Sequence, residues 1–249
     1  MDHHTLPLLT RRQTPKTTGR HGWQVVEQAV TWPAAETAII IVDMWDNHWS
    51  WGATERVNVL APRINAVVQA ARERGVQIIH APSDVVDFYQ DHPARKWALS
   101  LPQAEPPQPL DHPEPPLPID DSDGGSDTGE TSSSKAWSRQ HPAIEIRPED
   151  AISADGQEVF NLLRRKGIKN LIYMGVHTNM CVLNRSFAIK RMVRWGFNVV
   201  LARDLTDAMY NPFKPPYISH EEGVQLVIGY IEKFWCPTMA SDDLTTPER

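Results

Sequence analysis

Two hydrophobic rhythms divide this chain. Ala38-Ile-Ile-Ile-Val runs into Asp43 with no polar alternation, which predicts a strand buried on both faces, as in a parallel sheet. Val57, Leu60, Ile64, Val67, Val68 and Ala71 then recur at helical spacing, and Gly75 stops the helix. Val76-Gln-Ile-Ile-His80 predicts a second strand. Further on come a helix ending near Lys166-Gly167, a strand over Asn170–Gly175, a helix from about Thr178 to Trp195 and a strand over Asn198–Ala202. Val224, Val227, Ile231 and Phe234 mark a last helix. Strands separated by helical stretches predict repeated βαβ units. The expected fold is therefore a single-domain, doubly wound α/β structure, a mostly parallel sheet with helices on both faces.

Between Asp84 and Ala143 the rhythm is lost. Residues 102–118 carry eight prolines, followed by Asp120-Asp-Ser-Asp-Gly-Gly-Ser-Asp127 and by Ser132–Ser134. A long irregular stretch of this kind inside a domain is a solvated loop, a lid or a contact arm. Its acidic run is a poor calcium loop, because Thr131 stands where the twelfth position needs a glutamate. No internal repeat is visible. The expected organisation is an N-terminal arm over 1–30, a hydrolase-like domain over 31–240 with an insert at about 100–140, and a C-terminal tail over 241–249.

A hydrophobic fraction of 41% suffices for a core, while the formal charge of −6 gives no basic face for nucleic acid. No apolar run approaches the roughly 20 residues of a membrane span, and Leu6-Pro-Leu-Leu9 is too short for a signal-peptide core. Two cysteines, Cys181 and Cys236, imply no disulfide framework, so a reducing, cytoplasmic setting is expected.

In open α/β sheets ligands bind beyond the carboxyl ends of the strands. Asp43 and His80 close the first two strands, and Gly175-Val-His-Thr-Asn-Met-Cys181 joins a strand to a helix. At the start of that helix, unpaired N–H groups and the macrodipole would lower the pKa of Cys181 and hold an oxyanion. Asp43 could accept the thiol proton or protonate a leaving amine. Each residue also has a plainer role. The cysteine could be a small buried hydrophobe, the aspartate a cap, and His80 a core histidine with a satisfied ring.

Ile39-Ile-Ile-Val-Asp43-Met-Trp-Asp-Asn-His48 and Ile172-Tyr-Met-Gly-Val-His-Thr-Asn-Met-Cys-Val182 resemble the two motifs of the isochorismatase-like cysteine hydrolases, relatives of nicotinamidase and N-carbamoylsarcosine amidohydrolase. Ala188, Gly196-Phe-Asn-Val-Val200 and Asp204-Leu-Thr-Asp-Ala208 continue the likeness, which spans about 37–81 and 156–237. The resemblance implies a Rossmann-type three-layer fold and thiolate attack by Cys181, with Asp43 handling the proton. It also implies a cis peptide at Val176–His177 that aims the N–H groups of His177 and Cys181 at the oxyanion. Trp45, Asp46, His48, His80, His177 and Thr178 are the expected substrate-binding groups, with a small amide, ureido or carbamoyl compound as substrate.

The family's third catalytic residue, a lysine, has no counterpart in Ala143–Asp155. Lys135, Arg139 and Arg147 are the candidate replacements, although an arginine holds its proton too tightly to shuttle it. Some relatives bind a metal after the second strand. Here His80, Asp84, Asp87 and His92 do not match that spacing, so no metal and no other cofactor is expected. A scaffold or binding role, or vinyl-ether hydrolysis, are the alternatives to C–N hydrolysis. The expected partners are a small-molecule substrate and further copies of the chain, with no nucleic acid and no membrane.

Overall fold

The computed structural model describes residues 4–131 and 135–245; Ser132–Ser134 of the insert and the two chain ends lie outside them. In chain order the elements are β1 (Thr5–Pro15), β2 (Trp23–Pro33), β3 (Thr37–Val42), α1 (Trp51–Glu73), β4 (Gln77–Ala81), α2 (Pro93–Ser100), β5 (Ala151–Ile152) and α3 (Gly156–Lys166). There follow β6 (Asn170–Val176), α4 (Cys181–Asn184), α5 (Ile189–Arg194), β7 (Asn198–Asp207), α6 (His220–Phe234), β8 (Thr238–Met239) and α7 (Asp242–Thr245).

The eight strands form one sheet in the order β2-β1-β8-β7-β6-β3-β4-β5. The run from β8 to β5 is parallel, while β1 joins β8 antiparallel and carries β2 as a hairpin partner. Both faces are covered, as the unbroken apolar strands require. On β3, Ile39 and Ile41 enter one core with α1, whereas Ala38, Ile40 and Val42 enter the other with α3, α5 and α6. The chain steps from β3 outward through β4 to β5, then returns to lay β6 on the other side of β3. The gap above the β3 and β6 carboxyl ends is thus a topological switch point, where such sheets bind ligands.

Three features depart from the sequence reading. Residues 5–33, which take in most of the expected arm, make a hairpin of two eleven-residue strands that belongs to the sheet. The helix expected from Thr178 to Trp195 is two short ones, because Arg185–Ala188 leave the helical path. Here the Tyr173 hydroxyl donates to Phe187 O, and the Ser186 hydroxyl accepts from the Gly156 N–H. The region from Asp84 to Ala143 contains α2, and its described residues from 101 onward, although free of helix and strand, are pinned to the domain. Ala104 N–H donates to Asn161 of α3, Leu110 N–H to Arg194 O of α5, and the Tyr230 hydroxyl of α6 to Pro115 O. Asp127 then pairs with Arg56 of α1 at 2.8 Å.

Candidate active site

Asp43 stands one residue past β3 with φ +45°, a left-handed conformation that a non-glycine residue rarely adopts and that clusters at active sites. Its N–H donates to Ala81 O and its carbonyl accepts from Trp45 N–H, so the turn is held at both ends. The side chain is fully buried, with Oδ1 accepting from Ser83 N–H at 2.7 Å. Beside it, Gly175, the penultimate residue of β6, has φ +111°, and any Cβ there would collide with the main chain of Val42. That close approach of β6 to β3 lets the next segment cross over Asp43. The Val176–His177 peptide is cis, and Thr178 N–H donates to Asp207 O at 2.8 Å. Cys181 then opens α4, with its thiol hydrogen-bonded to the Asp43 carboxylate.

A third residue completes this pair. Arg185 donates from Nε to Asp43 Oδ2 at 3.2 Å and from Nη2 to Asp84 Oδ2 at 3.1 Å, and it also bonds the Cys181 sulfur. It follows Cys181 by four residues, the spacing that returns a side chain to the same helix face. The sequence reading looked for a cation upstream of the cysteine, where the family lysine lies, and missed it; the i, i+4 spacing was the available signal. None of the three expected replacements touches Asp43 or Cys181. Lys135 donates to Asp84 O at 2.6 Å, near the outer end of Arg185. Arg139 faces Asp46 and the Phe88 ring, and Arg147 pairs with Glu145 at 3.2 Å.

The electrostatics also correct the expectation of an acidic thiol. Burial, then the adjoining Asp43 charge, push the Cys181 pKa up to about 12, against the pull of Arg185. Burial likewise raises Asp43, opposed by Arg185 and by the hydrogen bonds from Cys181 and Ser83. A helix of four residues aligns too few peptide dipoles to reverse this. In this coupled pair the sulfur keeps the proton and donates it to a carboxylate. Burial alone would lower the Arg185 pKa, but the neighbouring carboxylates of Asp43 and Asp84 raise it, so the guanidinium stays charged.

An open pocket of about 370 Å³ reaches Cys181 and Arg185, walled by Asn179, Met180 and Asn184 and, from the insert, by Leu117 and Asp121. That volume suits a small molecule. A larger cleft of about 550 Å³ lies between Phe160, Ile168 and Trp195, at the amino ends of β6 and β7 and remote from Cys181.

The expected substrate-binding residues divide into two groups. Trp45, His48 and His177 stay together on one side of the site. Trp45 stacks on Trp137 with ring centroids 4.1 Å apart and donates its indole N–H to Ser83 O, while His48 packs edge-on to His177 at 4.9 Å. Burial depresses the pKa of both histidines, to about 4 for His48 and about 3 for His177, so both rings are neutral. His177 Nε2 has no hydrogen-bond partner among the described residues. The other three residues are engaged elsewhere. His80 is buried with its ring nitrogens bonded to Gln140 and Asp150, the satisfied core histidine of the plainer reading. Asp46 anchors the returning insert through Ser138, and these bonds hold its pKa low in spite of partial desolvation. The Thr178 hydroxyl is bonded to Asp207 O and Thr206, which fixes the cysteine loop to β7.

Among the described residues no cluster of three or more His, Cys, Asp or Glu is placed to hold a metal. Of the groups after the second strand, Asp84 binds Arg185 and His92 Nδ1 accepts from Ala94 N–H, so they do not fit the metal set of some relatives. Among the described residues no helix is long and apolar enough to cross a membrane.

A cysteine hydrolase from Pseudomonas syringae pv. phaseolicola superposes with a TM-score of 0.54 at 17% identity, over 85% of this chain and 92% of that one. A proposed isochorismatase from Burkholderia xenovorans gives 0.52 at 16% identity, over 84% and 86% of the two chains. Likeness at such identity establishes the shared fold. No curated protein matches the chain in sequence. The family model for the isochorismatase domain matches residues 37–214, more than half of the chain, and that span holds the whole Asp43–Cys181–Arg185 site. The chain is therefore a member of the isochorismatase family.

Proposed function

We propose that this protein is a cysteine hydrolase that cleaves the C–N bond of a small amide, ureido or carbamoyl compound. The observation that carries this reading is the Cys181 thiol hydrogen-bonded to a buried carboxylate and flanked by a fixed guanidinium. A thiol with a pKa near 12 is scarcely ionised at neutral pH, so deprotonation accompanies attack. Asp43 takes the thiol proton as sulfur bonds to the substrate carbonyl carbon. The oxygen becomes an oxyanion, for which the main-chain N–H groups of His177 and Cys181 are the proposed donors. As the tetrahedral adduct collapses the C–N bond breaks, and Asp43 returns its proton to the departing nitrogen. Ammonia or an amine leaves, and a thioester remains on sulfur. Water then gives one proton to Asp43 and its hydroxide to the thioester carbon; the acid product leaves and the proton returns to sulfur.

Arg185 takes no proton in this scheme, as an arginine cannot, and serves as fixed positive charge that keeps Asp43 ionised and ready. Its position, paired with Asp43 at 3.2 Å and lining the pocket that reaches Cys181, favours catalysis over a silent scaffold. The vinyl-ether reaction needs no cysteine, and the buried thiol on Asp43 speaks against it.

The test is ammonia release across a panel of small primary amides, ureas and carbamoyl compounds. The wild-type chain is expected to turn over at least one, and Cys181→Ala to reduce that rate by at least about 10³-fold, as loss of a nucleophile does. Undiminished release by that variant, with the fold intact by circular dichroism, defeats the covalent scheme.

A further inference from the structure

Among the described residues β2 is the outermost strand of the sheet and pairs on one side only, with β1. Its eleven residues, Trp-Gln-Val-Val-Glu-Gln-Ala-Val-Thr-Trp-Pro, are exposed or half-exposed throughout, on both faces of the ribbon. Trp23 is 39% exposed, Val25 54% and Val26 42%, beside Leu9 of β1 at 48%. A long, apolar edge with a free row of main-chain donors and acceptors is a template for another strand, and proteins usually blunt such edges with charge, proline or a bulge. Here proline stands only at the strand's end, at Pro33, and Glu27 is the one charged residue. The pairing with β1 runs without a register break from Trp23 to Pro33.

The strand's own sequence identifies what fits it. A two-fold axis normal to a sheet keeps each face on its own side. Two copies of one strand therefore pair antiparallel only in registers where opposed residues share a face, so that one residue meets its own copy at the axis. Centring on Glu27 would set two carboxylates opposite each other, which is destabilising. Centring on Gln28 brings all eleven residues into register. Gln28 then meets the second copy's Gln28, Val26 meets its Val30, and Glu27 meets its Ala29. Val25 opposes its Thr31, Gln24 its Trp32, and Trp23 its Pro33. No like charges face each other, the apolar pairs lie symmetrically about the axis, and the neutral amides at the centre can bond to each other.

We propose that β2 is a dimerisation edge, pairing antiparallel with β2 of a second copy about Gln28 to join the two sheets into one. Main-chain hydrogen bonds along the joined edges supply affinity, and the side-chain pairing sets the register. The joint lies at the far end of the sheet from β3, separated from the Cys181 site by β1, β8, β7 and β6.

Light scattering of the full chain over a range of concentrations tests this. The wild type is expected at twice its 28.2 kDa chain mass. The Gln28 side chain is solvent-exposed, so Gln28→Lys and Gln28→Glu should fold, yet each sets like charges across the axis and should weaken dimerisation at least about tenfold. Mixed one to one, the two variants should regain the dimer mass, which no role of Gln28 within one chain can produce. Val26→Lys, which places a lysine against the second copy's Val30, should also yield monomers. A monomeric wild type, dimers that persist in both charge variants, or a mixture that stays monomeric would each overturn the proposal.

Discussion

At the scale of single residues, the site depends on where one proton rests. Asp43 must be ionised to act as a base, and burial raises its pKa while Arg185 opposes that rise. The rate kcat/KM should therefore fall on the acid side as Asp43 takes up a proton, along a limb set by its raised pKa. Removing the guanidinium removes the largest influence holding that pKa down. In Arg185→Gln the acid limb should move to higher pH, and kcat/KM at neutral pH should drop by about 10²-fold, in keeping with the loss of a charge beside the reacting groups. Arg185→Lys should recover part of the loss, because it restores the charge without the forked geometry. A pH–rate profile of the three proteins decides: an acid limb unmoved in Arg185→Gln would show that Arg185 does not tune Asp43. The sequence disclosed Asp43 and Cys181 because both stand at strand ends in recognisable motifs. Arg185 went unread although its i, i+4 spacing from Cys181 was visible, because spacing alone does not show that the side chain turns to Asp43, beyond the end of another strand. The direction of the thiol pKa was equally hidden. It follows from burial and from a carboxylate brought 138 positions along the chain, neither of which a local pattern contains.

At the scale of elements, the long uniform signals were the legible ones. β3 and β6 announce themselves as unbroken apolar runs, and α1 by its 3.6-residue spacing, since each buries a whole face or stripe. The hairpin was not legible. Only Leu6, Leu8 and Thr10 of β1 turn inward, and β2 buries none of its residues, so composition reads as a polar arm. The broken helix after Cys181 was hidden for another reason: the hydroxyl of Tyr173, distant in sequence, takes the Phe187 carbonyl that a continuous helix would have used within itself, and the Gly156 N–H holds the Ser186 hydroxyl. The β3–β6 junction yields a prediction of its own. Gly175 combines φ +111° with main-chain contact against Val42, so Gly175→Ala adds both conformational strain and a clash. Its stability should fall by about 2 kcal/mol or more, and the shift of β6 should loosen the Cys181 loop. Urea unfolding, with alkylation of Cys181 followed in parallel, measures both. A variant as stable as the wild type and with unchanged thiol reactivity would mean that the close approach of the strands is not required.

Across the whole molecule, the insert and the sheet meet in a buried electrostatic cluster that fixes how the protein responds to acid. Arg56 binds Asp127 of the insert and Asp207 at the end of β7, His220 bonds Asp207 at 2.9 Å, and the neutral rings of His48 and His177 lie alongside. Folded pKa values of about 4 and about 3 for these two histidines lie well below the unfolded value of 6.5. Their neutral burial therefore adds nothing unfavourable above pH 6.5. As pH falls from there toward 4, the unfolded chain gains protons that the folded one refuses, and stability drops. His220 has a raised pKa and works in the opposite sense, contributing below 6.5 and losing that contribution as pH rises through its folded value. Asp43, raised by burial, also favours the folded state once protonated. With Asp127 and Asp207 held below the ordinary carboxylate range against the pull of desolvation, their own losses come at lower pH still. In the window between about 6.5 and 4 the protons refused by His48 and His177 should lower stability, with His220 and Asp43 acting in the opposite sense. The thermal midpoint of the wild type should decline across it, and His177→Gln, which removes one refused proton while leaving a polar side chain of similar reach, should decline less steeply. Parallel slopes for the two proteins would mean that His177 is protonated in the folded state, and that the ring now read as neutral instead carries charge beside the cysteine loop.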